Sequence, residues 1–203
     1  MSLRQWWLLS MALALLGAGH WVLHRPISHA PGVLVQGAPV QTEPSSRTPI
    51  TQGAYTLTPL ADFDVEARLL SRHNYAFDGA SSLAPVDFAL GWDRMSDSAV
   101  IDQLDLRQTG RFLFWGIRRT PPIPAKEIVR SAANMHLIPA TASIARVLDR
   151  IRVGEIVRLR GQLVDARRSD GWRITSSLTR EDDGAGACEV VLVDAVAHRS
   201  GGR

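Results

Sequence analysis

Cysteine and lysine are both scarce in this chain, and each shortage bears on what the chain can be. Cys188 is the only cysteine, so no intramolecular disulfide can staple the fold. A body of roughly 140 residues must therefore hold together by its apolar core. Cys188 is also too far from the N-terminus to be the lipid-bearing cysteine of a lipoprotein. Standing just before Val190, Val191, Leu192 and Val193, it reads as a small buried apolar side chain. Lys126 is the only lysine, against 22 arginines. Codon bias in a GC-rich genome accounts for that ratio; the alternative is a need for the bidentate anion contacts that Arg makes and Lys does not. The formal net charge is only +3, which gives no strong field for a polyanion.

Catalytic signatures are missing too. There is no Ser/His/Asp order, no Cys/His metal spacing, no Walker sequence and no dinucleotide fingerprint. Together these absences favour a non-enzymatic protein, with no cofactor expected.

One long apolar run is present. Residues 5–23 read QWWLLSMALALLGAGHWVL, with His20 the only titratable side chain among them. As a helix this stretch spans about 28 Å, close to the hydrocarbon thickness of a bilayer. Trp6, Trp7 and Trp21 lie at its two ends, where indoles favour the lipid–water interface. The segment is expected to go to a membrane as a single-pass anchor, with export of the remainder to the periplasmic side of a bacterial inner membrane. The alternative is a signal peptide cut after the small residues Gly17 and Gly19, releasing a secreted domain.

Residues 26–59 hold six of the eleven prolines, interspersed with Gly, Ser, Thr and Gln. That composition predicts a semi-extended linker. The organisation expected is thus an anchor or signal over 1–25, a linker over 26–59, a globular domain over 60–197 and a disordered tail over 198–203.

Within the domain, Phe63, Val65, Ala67 and Leu69 alternate with Asp62, Asp64, Glu66 and Arg68, the pattern of a half-buried strand. Pro85 fits the first turn of a helix over 83–92, and Ser96 or Asp97 caps a second short one. Residues 106–117 read as one strand, 125–133 as a helix and 135–138 as a brief strand. Ile144, Val147, Leu148 and Ile151 give the best helical period, with Gly154 as its stop. A hairpin follows through Ser169, Asp170 and Gly171, and 188–196 reads as a central strand covered on both faces. The fold class expected is β-rich α+β: a small OB-like or otherwise partly closed barrel with short helices.

Three sets of residues are candidates for a site. Arg158 and Arg160, on the polar face of the strand over 155–168, together with Arg111 and Trp115, form a basic and aromatic face of the kind single strands of nucleic acid use. The near balance of acid and base weighs against that partner. His136 is a candidate general base. Glu181, Asp182 and Asp183 precede a glycine-rich turn and are candidate ligands for a hard cation, although calcium loops space their ligands at alternate positions.

The strings SSLTREDDGAGACE, over 176–189, and NMHLIP, over 134–139, resemble segments of uncharacterised bacterial proteins with a single N-terminal hydrophobic stretch. The resemblance covers residues 62–195 and implies a bacterial envelope setting, with no activity to carry over. The expected function is a membrane-tethered binding or assembly module with a protein or envelope partner. The alternatives are a hydrolase or metal-dependent enzyme using His136 and the acidic loop, and single-strand binding through Arg158 and Arg160.

Overall fold

The computed structural model describes residues 2–179 and 187–200; the side chains at 3, 14–16 and 18–24 are outside that description. The protein is β-rich α+β, with a curled, partly closed sheet and short helices. The strands are β1 (Val40–Thr42), β2 (Ile50–Gln52), β3 (Tyr55–Asn74), β4 (Val86–Gly91), β5 (Leu104–Thr109), β6 (Phe112–Ile117), β7 (Ala132–Pro139), β8 (Ile156–Arg168), β9 (Arg173–Thr175) and β10 (Glu189–Arg199). The helices are α1 (Leu3–His24), α2 (Ser98–Ile101), α3 (Ala125–Ser131) and α4 (Ala142–Arg150).

Five strands carry the sheet. β3 pairs with β4, β4 with β7, β7 with β10, β10 with β8, and β8 again with β3. All these pairings are antiparallel except β7–β10, which is parallel. β3 can serve two neighbours because it is long and bends. Its registers shift between Pro59 and Ala61 against β8 and between Leu69 and Ser71 against β4, and such irregularities increase local twist. Pro59, which has no N–H to give a ladder, sits at the first of them. Gly161 allows a close crossing on the far side: a Cβ there would collide with the Leu192 carbonyl oxygen.

Alternation on these strands sends Phe63, Val65, Phe88, Leu90, Met135, Leu137, Leu159, Val191 and Val193 into the main core. Helix α4 closes one end with Leu148 and the following Ile151. Ile144 and Val147 pack at the margin, and the Thr141 hydroxyl accepts from the Ile144 N–H as an N-cap. A second apolar cluster lies around Tyr55, Leu57, Leu83, Ile138, Val190 and Leu192. A third, of Met95, Val100, Leu104, Ile123 and Ile128, involves α2, α3 and the β5–β6 hairpin.

Several expectations need correction. Residues 83–92 contain β4 rather than a helix: six consecutive buried residues make a run whose period does not separate buried strand from buried helix. Residues 106–117 are two strands, not one. β5 turns into β6 at Gly110 and Arg111, both at positive φ (56° and 68°), which is the backbone a tight two-residue hairpin demands. β3 begins at Tyr55 and runs through Pro59, so the sheet starts before residue 60.

The proline-rich segment is fastened to the domain over residues 27–37. Extended backbone leaves N–H groups unpaired, and the domain offers acceptors for them. The Ile27 N–H donates to the Val153 carbonyl at 2.8 Å, Gly32 to Asp97 Oδ1 at 2.8 Å, Leu34 and Val35 to Ser96 Oγ at 3.0 and 3.1 Å, and Gly37 to Asp93 Oδ1 at 2.8 Å. Val35 is buried. The segment is a strap.

The structure gives no support to the membrane-spanning reading of residues 5–23: among the described residues no helix is long and apolar enough to cross a membrane. A helix does form over Leu3–His24. Its described large apolar side chains, Trp6, Trp7, Leu8, Leu9, Met11 and Leu13, are all exposed.

Gly154 locks the strap to the ring. Its φ is +92°, its N–H donates to the Leu69 carbonyl at 2.8 Å, and a Cβ would collide with the Ile27 carbonyl oxygen. Gly154→Ala is expected to cost more than about 1 kcal/mol in urea unfolding, and to open residues 27–37 to limited proteolysis while the far-UV spectrum stays β-rich.

Candidate functional site

Opposite the main core, β4 and β7 present a short row of polar side chains. Register places Asp87 across from His136 and Ala89 across from Asn134. The tip of the β5–β6 hairpin covers them, leaving Asp87 with no exposed surface and His136 only 5% exposed. A carboxylate so placed is expensive unless it is paired and hydrogen-bonded. Here Arg111 Nη1 donates to Oδ1 at 3.0 Å and Asn134 Nδ2 to Oδ2 at 3.2 Å. His136 Nδ1 stands 2.9 Å from Oδ2, at ion-pair distance without the alignment of a hydrogen bond.

Arg111 organises the rest. Its Nε and Nη2 hold Asp78 in a fork at 2.6 and 2.8 Å, and Nη2 also reaches the Ala84 carbonyl at 3.0 Å. Its guanidinium lies 3.9 Å over the Tyr75 ring, a cation–π contact strengthened by burial. The main chain of Arg111 takes part as well. Its N–H donates to the Tyr75 hydroxyl at 3.1 Å, and its carbonyl accepts from Asn134 Nδ2 at 2.9 Å and from Cys188 Sγ at 3.7 Å. Gln108 fixes the Asn134 amide from the other end, donating to Oδ1 at 2.7 Å. A non-glycine residue at positive φ carries strain, and these contacts compensate it.

The electrostatics follow from this packing. Burial works to lower the pKa of His136, but the Asp87 carboxylate against its ring, with a smaller contribution from Cys188, outweighs it, and the imidazole is pushed up to about 9. Burial, reinforced by Asp87, pushes the Tyr75 phenol up to about 12. The Arg111 fork holds Asp78 below the usual carboxylate range. Cys188, half-buried at the entrance to β10, completes the group as a neighbour of both His136 and the Arg111 carbonyl.

The residues singled out from sequence are dispersed. His136 belongs to this cluster, and the partner it has is Asp87. Glu181, Asp182 and Asp183 are outside the described residues. Arg111 is built into the cluster rather than offered to a ligand. Trp115 packs, partly buried, against the Met95–Ile128 cluster. Arg158 and Arg160 lie elsewhere, on β8 beside β3, and share Asp64: Arg158 Nε and Nη2 reach it at 2.9 and 2.7 Å and Arg160 Nε at 3.0 Å. The Arg158 hydrogen bond holds Asp64 below its ordinary range. Beside them runs a groove of about 410 Å³ bordered by Asp62, Asp64, Arg160, Gln162 and Asp194, mixed in sign rather than basic. Among the described residues no group of three or more His, Cys, Asp and Glu side chains is placed to hold a metal ion.

Sequence reasoning missed Asp87, Tyr75, Asp78 and Asn134, and it read Cys188, which is half-exposed, as a buried apolar side chain. One signal was present: Asp87 is a lone carboxylate inside Val86, Phe88, Ala89 and Leu90, where an acid needs a partner to be tolerated.

Two outcomes test the cluster. His136 is raised when folded above its ordinary 6.5, so its contribution to stability is full below about pH 6.5 and is lost as the pH climbs through about 9. Stability from urea unfolding is expected to fall by at most about 3 kcal/mol across that window, and the fall is expected to vanish in His136→Gln. Arg111→Met, which strands Asp87, is expected to cost about 3–5 kcal/mol in the same measurement. Comparison with known protein families, with characterised proteins and with solved structures finds no match to this chain.

Proposed function

We propose that this chain is a membrane-tethered envelope protein in which α1 spans the bacterial inner membrane and the C-terminal domain stands on the periplasmic side as a binding or assembly module. The observation that carries the reading is the run of bare apolar side chains on α1. Trp6, Trp7, Leu8, Leu9, Met11 and Leu13 are all exposed, and a helix so exposed needs lipid or a partner to cover it. The apolar sequence continues to Leu23, and the paired and single tryptophans at its two ends suit the two interfaces. Cleavage after Gly19 with release of the domain is the competing outcome.

An OB-like barrel is the finer fold that the strand circuit supports. In chain order the five ring strands are β3, β4, β7, β8 and β10. The third and fifth are parallel neighbours, and α4 lies between the third and fourth. In such barrels the face of the second and third strands and the loops beside it do the binding. Here that face is β4–β7. Phe77, in the β3–β4 connection, Phe114 on β6 and Leu178 after β9 are exposed. Exposed apolar side chains in these connections favour a protein partner. Single-stranded nucleic acid is the weaker reading, because Arg158 and Arg160 are engaged with Asp64. Only two residues separate His24, the end of α1, from Ile27, which is fastened to Val153, so the tether between helix and domain is short.

Fractionation of broken cells tests the tether: the intact chain is expected to resist alkaline extraction from membranes, and recovery of full-length protein in the soluble fraction removes the proposal. Crosslinking and capture from solubilised membranes test the module. A specific protein partner is expected, with recovery reduced at least about tenfold when Phe77 and Phe114 are both changed to Ser; absence of any specific partner counts against binding.

A further inference from the structure

We propose that the cavity between the strap, β3 and α2 binds a small apolar carboxylate, with Arg68 as the group that holds its charge. The proposal stands apart from the tether, the protein partner and the Asp87 cluster. It rests on a buried cation whose protein contacts leave one edge of the guanidinium unclaimed.

Arg68 leaves β3 on the face opposite Ala67 and Leu69 of the main core, and it is only 8% exposed. Its Nη1 donates to the Ser96 carbonyl at 3.0 Å and to the Ser98 hydroxyl at 2.9 Å. Both acceptors are neutral. Among the described residues Nε and Nη2 have no hydrogen-bond partner, and no carboxylate stands at ion-pair distance. Asp97 Oδ1 is occupied by the N–H groups of Gly32 and Ala99, each at 2.8 Å, and Asp102 is exposed. Burial pushes the guanidinium below its ordinary range, and the charges of Asp102 and Asp97 offset this only in part. A cation so placed lacks the pairing that burial demands.

The unclaimed edge is the one that takes carboxylates elsewhere in this chain. Nε and Nη2 of Arg158 reach the two oxygens of Asp64 at 2.9 and 2.7 Å, and the same atoms of Arg111 reach those of Asp78 at 2.6 and 2.8 Å. That fork matches a carboxylate in shape and charge. Arg68 borders a cavity of about 240 Å³. At the roughly 30 Å³ that a water molecule occupies in the liquid, such a space takes about eight non-hydrogen atoms. Ile27, Leu70, Ile101 and Val153 also line it, all partly buried, which suits a short aliphatic body behind the carboxylate. Asp102 on the border disfavours a more highly charged anion such as phosphate. Residues 26–29 of the strap form one wall, fastened where His29 Nε2 donates to the Gly154 carbonyl at 2.7 Å. A ligand in the cavity thus touches strap and sheet together, and its binding holds the strap in place.

Isothermal titration of the full chain in detergent with hexanoate, which is of that size, tests the site. Saturable binding is expected, with hexanol, its neutral analogue, and inorganic phosphate each at least about tenfold weaker. At about ten times its dissociation constant, hexanoate is expected to slow proteolysis at residues 26–29 about tenfold. Arg68→Met is expected to weaken hexanoate at least about tenfold. Absence of saturable binding overturns the proposal, as does hexanol or phosphate binding as tightly as hexanoate, or undiminished affinity in Arg68→Met. Cleavage at residues 26–29 that hexanoate leaves unchanged also overturns it. Because Arg68 Nη1 holds the Ser96 carbonyl, its replacement can disturb α2. The hexanol comparison and the protection of the strap are therefore read on the native chain.

Discussion

A carboxylate sealed under a hairpin is the constraint around which this molecule is arranged. Asp87 has no exposed surface, and removing an ionised group from water costs several kcal/mol before any partner is counted. Three side chains from two elements meet that cost: Arg111 from the hairpin tip, and Asn134 and His136 from β7. The consequences spread outward. Arg111 must hold a left-handed backbone to reach Asp87. Its remaining donors draw in Asp78 and the Ala84 carbonyl, and its flat face draws in Tyr75. The connection between β3 and β4 is ordered by a charge it does not itself carry.

That arrangement explains why the excursion between β4 and β7 folds where it does. Residues 92–131 hold two helices and a hairpin, enough to form a separate lobe. Instead Met95, Val100, Leu104, Ile123 and Ile128 make an apolar cluster of their own, while the hairpin tip is joined by ion pairs and hydrogen bonds to the outer face of the sheet. Apolar burial supplies most of the energy here. The polar cluster supplies the register, since the fork geometry of Arg111 fits Asp78 and Asp87 together in only one placement of the hairpin.

Much of the frame could be read from the residues alone. The alternation of Phe63, Val65, Ala67 and Leu69 gave β3, and the spacing of Ile144, Val147, Leu148 and Ile151 gave α4. The Asp170–Gly171 turn gave the β8–β9 hairpin, and the apolar run from Val190 placed β10 in the middle of the sheet. Misreadings came where local signals are degenerate. β4 is too short and too buried for its period to speak, and Gly110–Arg111 turns a hairpin without the Asn or Asp that usually announces one. The attachment of the strap was not legible, because its acceptors on Ser96, Asp93 and Asp97 are about sixty residues away. The site was least legible of all. His136 stood out by residue type, but Asp87, Asn134 and Cys188 acquire meaning only when strands far apart in sequence come together.

The position of β10 in the ring sets the order in which the molecule can be completed. It lies between β7 and β8, yet it is the last of the five ring strands to be synthesised. Until residues 189–199 have cleared the ribosome, β7 and β8 each keep an open edge, and edges of that kind recruit stray strands. Most of the chain is therefore made before its sheet can curl shut. A nascent or truncated form lacking that final strand would be a sticky species in need of a chaperone, rather than a slightly smaller version of the same protein.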